Sequence, residues 1–595
     1  MGQKSANDDA QNQSYPRLEQ RIADTYAAQS SAALKNSLYD SYIKAFRWAS
    51  DRLDKQHGGI IAFVSNGYWL DGNAMDGFRK SLEAEFSAIY VFNLRGNCRT
   101  SGEVRRKESG NVFGLGSRTP IAITVLVKKP GHTGKALIQY HDIGDYLSRE
   151  EKLAIIAEKR SILNPAMNWT HIRPNAQGDW LNQRNDIFGS FIPLGDKKNK
   201  ENKQTFFNPF YSNGLATSRD AWCYSFSQTK LHQNIQATIA YYNSMVESGD
   251  EKPLLDPARI SWSAAFQSAF QKKIKKNFSE KAIRKALYRP FNKESVYFNE
   301  SLNERVGLMP KLFPTPETKN FIICLPGIGE RKGFCTLISS QIFDLNAFDG
   351  GIQCFPLYYY EKNEPKGKAV EQGSLIPQKS KPKQLGLPMP KPVTEEYTRK
   401  DAITDAALEH FQTHYEDDTI GKEDLFYYVY GILHSPVYRE RYAADLKKML
   451  PRVPLAPDFW GFSKAGRELA HWHLDYEQVE PWPVEEERKP QGDMDDFTYY
   501  HVEKMRFPKK GERGTIIYNG NITFKGIPLD AYDYVVNGKS ALDWIMERYA
   551  ITIRNDPNDW CREHNDPTYI YNLVKRIIRV SLETNRIVAG LPGID

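Results

Sequence analysis

Three short apolar runs, at residues 60–65, 88–92 and 121–127, constrain the fold of this 595-residue chain more than any other feature. Each run is rich in β-branched and aromatic residues and is bounded by Gly, Asn or Pro, as buried strands are. Apolar residues recur at helical spacing between residues 38 and 53, and a second helical run covers residues 73–85. This order predicts the second half of a doubly wound α/β domain, with the first half expected to be missing.

The rest of the chain predicts a mixture of helices and strands. A strand is expected at 135–140 and a charged helix at 149–160. Helical runs at 229–246 and 261–287 follow, and the second carries seven Lys and Arg residues, Lys272 and Lys276 among them. Further helices are expected at 401–414, 424–433, 437–449, 541–549 and 568–585, strands at 514–525, and a Pro/Lys-rich linker at 362–392. We therefore divide the chain into a partial α/β domain (1–135), a connecting mixed and helical region (136–285) and a mixed α+β domain (286–595).

Composition excludes several classes of protein. Hydrophobic residues make up 40% and charged residues 26%, which is ordinary for a globular chain. No apolar run approaches the roughly 20 residues that span a bilayer, and the polar N-terminus is no signal peptide, so we expect a cytoplasmic protein without a membrane partner. The 6 cysteines are far apart and form no CxxC pair, so no metal site is expected. The net charge of +7 permits a polyanionic partner without requiring one.

Residues 36–129 resemble a segment of DNA amino-methyltransferases of the gamma motif order, the segment that follows the catalytic [N/D/S]PP[Y/F] motif. The matching elements, in order, are NSLYDSYIKAF, GGIIAFVSNGYWL, FRKSL, AIYVFNL, GNVFGLGSRT and PIAITVLVKK. Segments spread along nearly the whole chain, among them YPRLEQRIADTYAAQS, YRPFNKESVYF and YVYGILHSPVYRERY, resemble single-chain type I (Type ISP) restriction-modification enzymes. The resemblance implies a partial Rossmann-like methyltransferase domain followed by a target-recognition domain, with double-stranded DNA as the partner.

The same resemblance implies that the chemistry of adenine-N6 methylation is incomplete in this chain. In the family, the catalytic tetrapeptide precedes the segment that begins GQKSANDDAQ here, and no glycine-rich loop for S-adenosylmethionine follows a strand. The acceptors that hold the amino group of a flipped adenine would therefore be lacking. We expect no catalytic residue in the chain, no tight binding of S-adenosylmethionine and no methylation without a partner. Three origins of such a fragment are open: a broken gene, a misplaced start, or a split enzyme whose other half is a separate N-terminal nuclease, helicase and methyltransferase polypeptide.

The resemblance also assigns candidate DNA-contacting residues. Phe113, in the G-x-V-F loop, is expected to stack on the flipped base, although a buried ring packed on the following strand is the alternative. Independently of the resemblance, arginine suits both phosphates and guanine edges, so the arginine-rich loop before residue 121 is a candidate DNA contact. A solvated loop with local salt bridges is the alternative. The candidates in this loop are Arg99, Arg105, Arg106 and Arg118. Lys272 and Lys276 are candidates for a phosphate-tracking helix face, although charged helices are usually only solvated.

Two other patterns leave alternatives open. The tetrapeptide Asn208-Pro209-Phe210-Tyr211 resembles the catalytic motif with its second Pro replaced, which would make the chain a complete enzyme. No strand followed by a glycine-rich loop lies beyond it, so we favour a non-catalytic loop. A stand-alone DNA-binding specificity subunit without catalysis is the other alternative. His471 and His473 have no obvious third ligand and are interpreted as structural.

Overall fold

In a computed structural model, the predicted apolar runs form strands of one five-stranded sheet. The structure describes residues 14–32, 34–54, 56–100, 102–114, 116–196, 204–207, 211–250, 253, 256–363, 396–551 and 559–595. The strands are β1 (Gly59–Asn66), β2 (Ala88–Arg95), β3 (Ile121–Lys128), β4 (Leu137–Asp142) and β5 (Thr170–Ile172). The helices around them are α1 (Pro16–Ile22), α2 (Ser41–Ser50), α3 (Asp76–Glu85), α4 (Gly102–Glu108) and α5 (Arg149–Lys159). The strand predictions up to residue 140 and the helix prediction at 149–160 are thus confirmed.

The strand order of this sheet is β1-β3-β2-β4-β5. Strand β3 is antiparallel to both β1 and β2, so β1 and β2 run in the same direction with β3 inserted between them. Strand β4 is parallel to β2. Residue 135, the predicted end of the α/β domain, is no boundary of this sheet, because β4 and β5 lie beyond it in sequence and pair within it.

One face of the sheet is buried by α2 and α3. Ile61, Ile89 and Leu126 project from three strands into a core that also holds Phe46 of α2 and Phe78 of α3. The two phenylalanine rings meet edge to face, with centroids 5.3 Å apart. Each such side chain contributes about 1.5–3 kcal/mol by leaving water. Helix α2 is shorter than predicted, because a 3-10 turn, Asn36–Tyr39, precedes it.

The chain divides into two compact units. Unit 1 comprises Met1–Ser190, Ile328–Phe334 and Glu440–Pro451, and unit 2 comprises the remaining residues. Unit 1 therefore contains, beside the sheet, two short segments from much later in the sequence. One of them carries the helix Ala443–Lys448. The predicted division at residues 135 and 285 differs from these units, and residue 285 lies inside a strand of unit 2, Ile283–Arg289.

A buried ion cluster holds the helix Ala443–Lys448 within unit 1. The Lys448 Nζ lies 3.3 Å from Asp71 Oδ1 and 3.2 Å from Asp179 Oδ1. Asp179 also pairs with Arg184 at 2.7 Å, and the Lys448 and Asp179 side chains are each 1% exposed. Burial alone would raise the pKa of Asp179, but hydrogen bonds from Arg184 and Asn175 and the charge of Lys448 lower it to about 2.

Unit 2 contains several small sheets, one of them with a parallel strand pair, and a set of helices around a large core. One four-stranded sheet consists of Ile342–Phe343, Ile283–Arg289, Asn292–Tyr297 and Tyr224–Ser225; a second consists of Leu337–Ser339, Ile322–Pro326, Ile352–Pro356 and Ser212–Asn213. A three-stranded sheet consists of Glu485–Arg488, Ile522–Lys525 and Ile516–Ile517. The longer helices are Gln228–Glu247, Ala264–Gln271, Asp405–Tyr415, Lys422–Ile432, Phe459–Leu474, Ala541–Arg548 and Tyr569–Ala589.

Two helices of unit 2 cross in unusually close contact. A Cβ atom on Gly466 would lie 1.9 Å from the carbonyl oxygen of Tyr427, so only glycine fits at this crossing. Gly466 belongs to Phe459–Leu474, a helix that the sequence did not predict, and Tyr427 belongs to Lys422–Ile432. Glycine at this position therefore allows these two helices to approach closely.

Two sequence predictions in this region differ from the structure. The helix predicted at 261–287 is wrong: Ala264–Gln271 is helical, but Ile283–Arg289 is a strand that pairs with Asn292–Tyr297. Pairing with a neighbouring strand thus outweighs the local helical pattern. The helix predicted at 437–449 is two helices, Pro436–Arg441 and Ala443–Lys448. The predicted linker at 362–392 lies, from residue 364 onward, outside the described residues.

Candidate nucleic-acid interface

The long connection between β2 and β3 is fastened by the side chain of Asn111. Its amide nitrogen donates to the carbonyl oxygens of Gly96, at 3.1 Å, and Thr119, at 2.8 Å. Its Oδ1 accepts the backbone N–H of Phe113 at 3.0 Å. Asn111 is buried, and so is Val112 beside it. One side chain therefore joins both ends of the connection and orients the residue that follows Val112.

Phe113 lies on the surface of this connection. Its side chain is 63% exposed, whereas the neighbouring Val112 packs in a small core with Phe92 and Ile121. The alternative of a buried ring packed on the following strand is therefore wrong. An exposed ring on a fastened backbone is the arrangement that stacking on an unpaired base requires. The role of Phe113 in stacking stays a prediction.

Two side chains of helix α5 donate hydrogen bonds to the backbone of the same connection. The Nζ of Lys152 donates to the carbonyl oxygens of Glu108, at 2.8 Å, and Gly110, at 2.7 Å, and the side chain is fully buried. Burial lowers the pKa of Lys152. The Nε of Arg149 donates to the carbonyl oxygen of Val112 at 3.1 Å. These contacts replace the regular hydrogen bonds that an irregular backbone lacks.

A polar network occupies the carboxyl ends of β2 and β4, beside the start of the connection. Arg95, whose φ is +54°, ion-pairs with Asp142 at 2.7 Å and with Asp145. Asn93 and Tyr140 each donate to the other oxygen of Asp142, at 3.2 and 2.8 Å. Ligands of open α/β sheets bind at such strand ends. Here both carboxylate oxygens of Asp142 already accept hydrogen bonds from side chains of this network.

The four predicted arginines of unit 1 all lie on this connection. Arg99 and Arg118 are exposed, and the backbone N–H of Cys98 donates to the Arg118 carbonyl at 3.0 Å, which brings their segments together. Arg105 and Arg106 lie on α4. Arg105 donates to the Ser109 carbonyl at 2.8 Å, and Arg106 pairs with Glu103. Arg99 and Arg118 are therefore the freer pair, and whether any of the four contacts DNA stays a prediction.

The two predicted lysines of unit 2 do not share a helix face. Lys272 is exposed, but Lys276 is only 5% exposed and donates from Nζ to the carbonyl oxygen of Ser301. Its ammonium lies 4.2 Å from the centroid of the Phe266 ring. Burial, with a smaller effect from the charge of Arg219, lowers the pKa of Lys276 to about 8. The predicted phosphate contact of Lys276 is therefore wrong, because the group is enclosed in the core of unit 2.

The remaining sequence patterns have clear structural settings. His473 is buried, with Nδ1 2.6 Å from the Tyr430 hydroxyl and Nε2 2.9 Å from Thr584 Oγ1, and burial lowers its pKa to about 3. His471 is exposed beside Asp475. In the described residues, no group of three or more His, Cys, Asp or Glu side chains is placed to bind a metal ion.

The catalytic alternative depended on a tetrapeptide that is described only at its end. Asn208, Pro209 and Phe210 lie outside the described residues. Tyr211 stacks on Phe355 with ring centroids 5.3 Å apart. Within the described parts of the chain, no helix has the length and apolar character needed to cross a membrane.

Comparison with known proteins places the chain in a family. A model of the Type ISP C-terminal specificity domain matches residues 205–573, more than half of the chain. The chain belongs to the Type ISP restriction-modification family through this domain. A sequence search among curated proteins finds no match.

Three solved structures resemble the chain over nearly its whole length. The nuclease-deletion mutant of the Type ISP restriction-modification enzyme LlaGI, in complex with a DNA substrate mimic, is 37% identical, with a TM-score of 0.81 over 100% of this chain and 44% of that one. The ATP-dependent Type ISP enzyme LlaBIII bound to DNA is 33% identical, with a TM-score of 0.82 over 98% and 36%. The DrdV–DNA complex is 31% identical, with a TM-score of 0.79 over 99% and 56%. The chain thus spans between 36% and 56% of the length of these proteins.

Proposed function

We propose that the chain recognises a specific DNA sequence as part of an adenine-N6 methylation and restriction system. The observation that carries this proposal is the match of residues 205–573 to a specificity domain, together with the DNA complexes formed by the similar enzymes. Specificity requires contacts with base edges in addition to phosphates, and unit 2 is the proposed source of the base contacts.

We assign unit 1 the role of half a methyltransferase domain that supports the flipped base. Its sheet, with β3 inserted between the parallel strands β1 and β2, agrees with the order of the methyltransferase-like sequence elements. In this role the exposed ring of Phe113 stacks on the base, and Asn111 holds the ring in place. Arg99 and Arg118 are the proposed phosphate or base contacts of the same loop.

The exposed surface and the unpaired edge of β1 support the proposal that another polypeptide completes the domain of unit 1. Ile60 is 67% exposed and Val64 is 56% exposed, on the face opposite the core residue Ile61. Among the described residues, no strand pairs with β1 on the side away from β3. Exposed apolar side chains beside an unpaired strand edge are a surface on which another strand can add. A complementary polypeptide with the S-adenosylmethionine loop and the NPPY-like residues is the proposed occupant.

We expect S-adenosylmethionine not to bind tightly to unit 1 alone. The cofactor would supply the methyl group, but both oxygens of Asp142 at the strand ends already accept hydrogen bonds from Arg95, Asn93 and Tyr140. We therefore assign cofactor binding to the complementary polypeptide. The residues of this chain would bind, orient and stack on DNA, without moving a proton or a methyl group.

Selection from a random pool of DNA duplexes tests the proposal. The full chain is expected to enrich one short sequence, and an equal amount of denatured chain serves as the control. Enrichment of no sequence would contradict a role in recognition. Incubation of the enriched duplex with labelled S-adenosylmethionine is expected to give no methylation by the chain alone. Methylation by the chain alone would support the catalytic reading of the tetrapeptide at 208–211.

A stand-alone specificity subunit without catalysis is the second candidate. It is favoured by the position of the family match, since residues 205–573 exclude the whole sheet of unit 1. Addition of the N-terminal part of a Type ISP enzyme distinguishes the two. Restored methylation of the enriched sequence would support the first function, and sequence-specific binding without methylation would support the second.

A further inference from the structure

A short basic segment of unit 2, residues 504–513, presents its cations on one side. Lys504 and Arg506 are exposed, whereas Met505 between them is buried and Phe507 is half-buried. The backbone of Arg506 exchanges two hydrogen bonds with Ile517, at 2.9 and 3.1 Å, in a single antiparallel bridge to a strand at a sheet edge, so the backbone is extended at Arg506. Alternate side chains of an extended backbone lie on the same face. The two cations therefore face solvent together.

A tight turn adds two more cations to this segment. Lys509 and Lys510 are both exposed. The N–H of Glu512 donates to the carbonyl oxygen of Lys509 at 3.2 Å, and Gly511 between them has a φ of +92°. Glycine adopts this left-handed conformation without strain. The turn thus holds the two lysines at its exposed end.

The base of the segment is fixed by Arg513 and two aromatic rings. The Arg513 guanidinium lies 4.8 Å from the centroid of the Tyr532 ring and 5.4 Å from that of Phe507. Its Nη1 ion-pairs with Asp543 at 3.3 Å, and its carbonyl accepts the Tyr532 hydroxyl at 2.9 Å. Little conformational freedom therefore remains to be lost at the base of the segment when a ligand binds.

Several other lysines of unit 2 pair with a neighbouring acid. Examples are the pairs Lys400–Glu361, Lys525–Glu487 and Lys539–Glu547. In contrast, within the described parts of the chain, no carboxylate lies at ion-pair distance from the four exposed cations of the segment. We shall call Lys504, Arg506, Lys509 and Lys510 the basic ridge. Their charges are available to an external anion without displacement of an internal partner.

We propose that the basic ridge contacts the phosphate backbone of double-stranded DNA. Alternate residues of an extended strand are about 6.6 Å apart. This is about twice the 3.4 Å between successive phosphates of one DNA strand along the helix axis, so the ridge can meet more than one phosphate. Such contacts position a protein on the duplex and leave sequence reading to other groups. The inference rests on the proposed DNA recognition by the chain.

The salt dependence of duplex binding by the full chain tests this inference. The variant Lys509→Gln/Lys510→Gln is compared with Lys311→Gln/Lys319→Gln, which removes the same charge from exposed lysines of unit 2 outside the ridge. The probe is a labelled duplex of arbitrary sequence, titrated at several salt concentrations. The logarithm of the association constant falls linearly with the logarithm of the salt concentration, and each lost phosphate contact reduces the magnitude of this slope by about 0.9. The slope of the ridge variant is therefore expected to be smaller in magnitude by up to about 1.8. The control variant is expected to keep the wild-type slope.

The other outcomes distinguish a failure of this inference from a failure of the proposed function. A wild-type chain that binds the duplex while the ridge variant keeps its slope would overturn the inference and leave the proposed function intact. Equal loss of slope in both variants would also overturn it, because the effect would then follow net charge. A wild-type chain that binds no duplex would overturn both. Thermal unfolding of the variants at the wild-type temperature checks that the exposed substitutions leave the fold unchanged.

Discussion

Substitution of Lys448 by Met is expected to destabilise unit 1 severely. The Nζ of Lys448 contacts Asp71 and Asp179 and donates to the carbonyl oxygen of Asn182 at 2.8 Å. Methionine fills a similar volume, but it has no positive charge to compensate the negative charge of the buried Asp179 carboxylate. Loss of one partner from a buried ion pair costs about 3–5 kcal/mol. Lys447→Met is the matched control, because Lys447 is 41% exposed, pairs with the same Asp71, and such pairs contribute about 0–1 kcal/mol.

Hydrogen exchange of the full chain measures this cost in unit 1 alone. The amides of β2 and β3 lie in the core of the sheet and exchange only when unit 1 opens. A loss of 3–5 kcal/mol corresponds to a protection lower by about two to four orders of magnitude in Lys448→Met. Protection within about tenfold of that in Lys447→Met would refute the role of the ion cluster.

The pH dependence of the same amides provides a second check. The folded pKa of Asp179, about 2, is below its ordinary value of 3.8. Its ionised form therefore stabilises unit 1 above pH 3.8, and this stabilisation is lost as the pH falls towards 2, by about 2 kcal/mol in all. Asp179→Asn is expected to remove this part of the acid sensitivity. An unchanged acid profile in that variant would contradict the assignment.

Three further predictions concern single side chains. In a reconstituted enzyme, Phe113→Ala is expected to weaken binding of a duplex with a mismatched target base by about 1–3 kcal/mol, and Phe113→Trp is expected to retain it; unchanged affinity in the alanine variant would exclude stacking. Asn111→Asp removes the donor to Gly96 and Thr119, so the amides of the loop are expected to exchange about 10- to 100-fold faster while those of β2 stay protected; equal protection of the loop would contradict the fastening role. The depressed pKa of Lys276, about 8 against 10.5, means that the unfolded chain binds more protons, so the unfolding free energy of unit 2 is expected to rise by about 3 kcal/mol between these pH values. Denaturant titrations measure this rise, which Lys276→Met is expected to abolish.

The sheet of unit 1 was predictable because its strands carry their own signals. The β-branched runs at 60–65, 88–92 and 121–127 are bounded by turn residues, and each extends by only a few residues in the structure. The helix at 261–287 failed for the opposite reason. Its residues have a helical pattern of charge, but Ile283–Arg289 pairs with a strand on either side, which no local pattern reports.

The candidate site was only partly predictable. The family resemblance placed Phe113 on a loop, and its exposure agrees with that placement. The role of Asn111 depends on two carbonyl groups, of Gly96 and Thr119, that meet only in the folded chain. The contribution of Lys448 to unit 1 was hidden as well, because Asp179 is far from it in sequence. Interactions between distant segments are the part that composition and spacing do not contain.

The comparison of two basic segments shows which charge pattern indicates an available surface. Residues 272–285 contain more cations than the segment at 504–513, yet Lys276 is enclosed and Lys275 pairs with Glu247. In the second segment, cations alternate with the buried Met505 and the half-buried Phe507, and this period-two pattern is already visible in the letters KMRF. A strand that buries Met505 must expose both Lys504 and Arg506, whereas a run of adjacent lysines imposes no such division. Alternation of cations with apolar residues is therefore a better guide to solvent-available charge in this chain than the density of lysines.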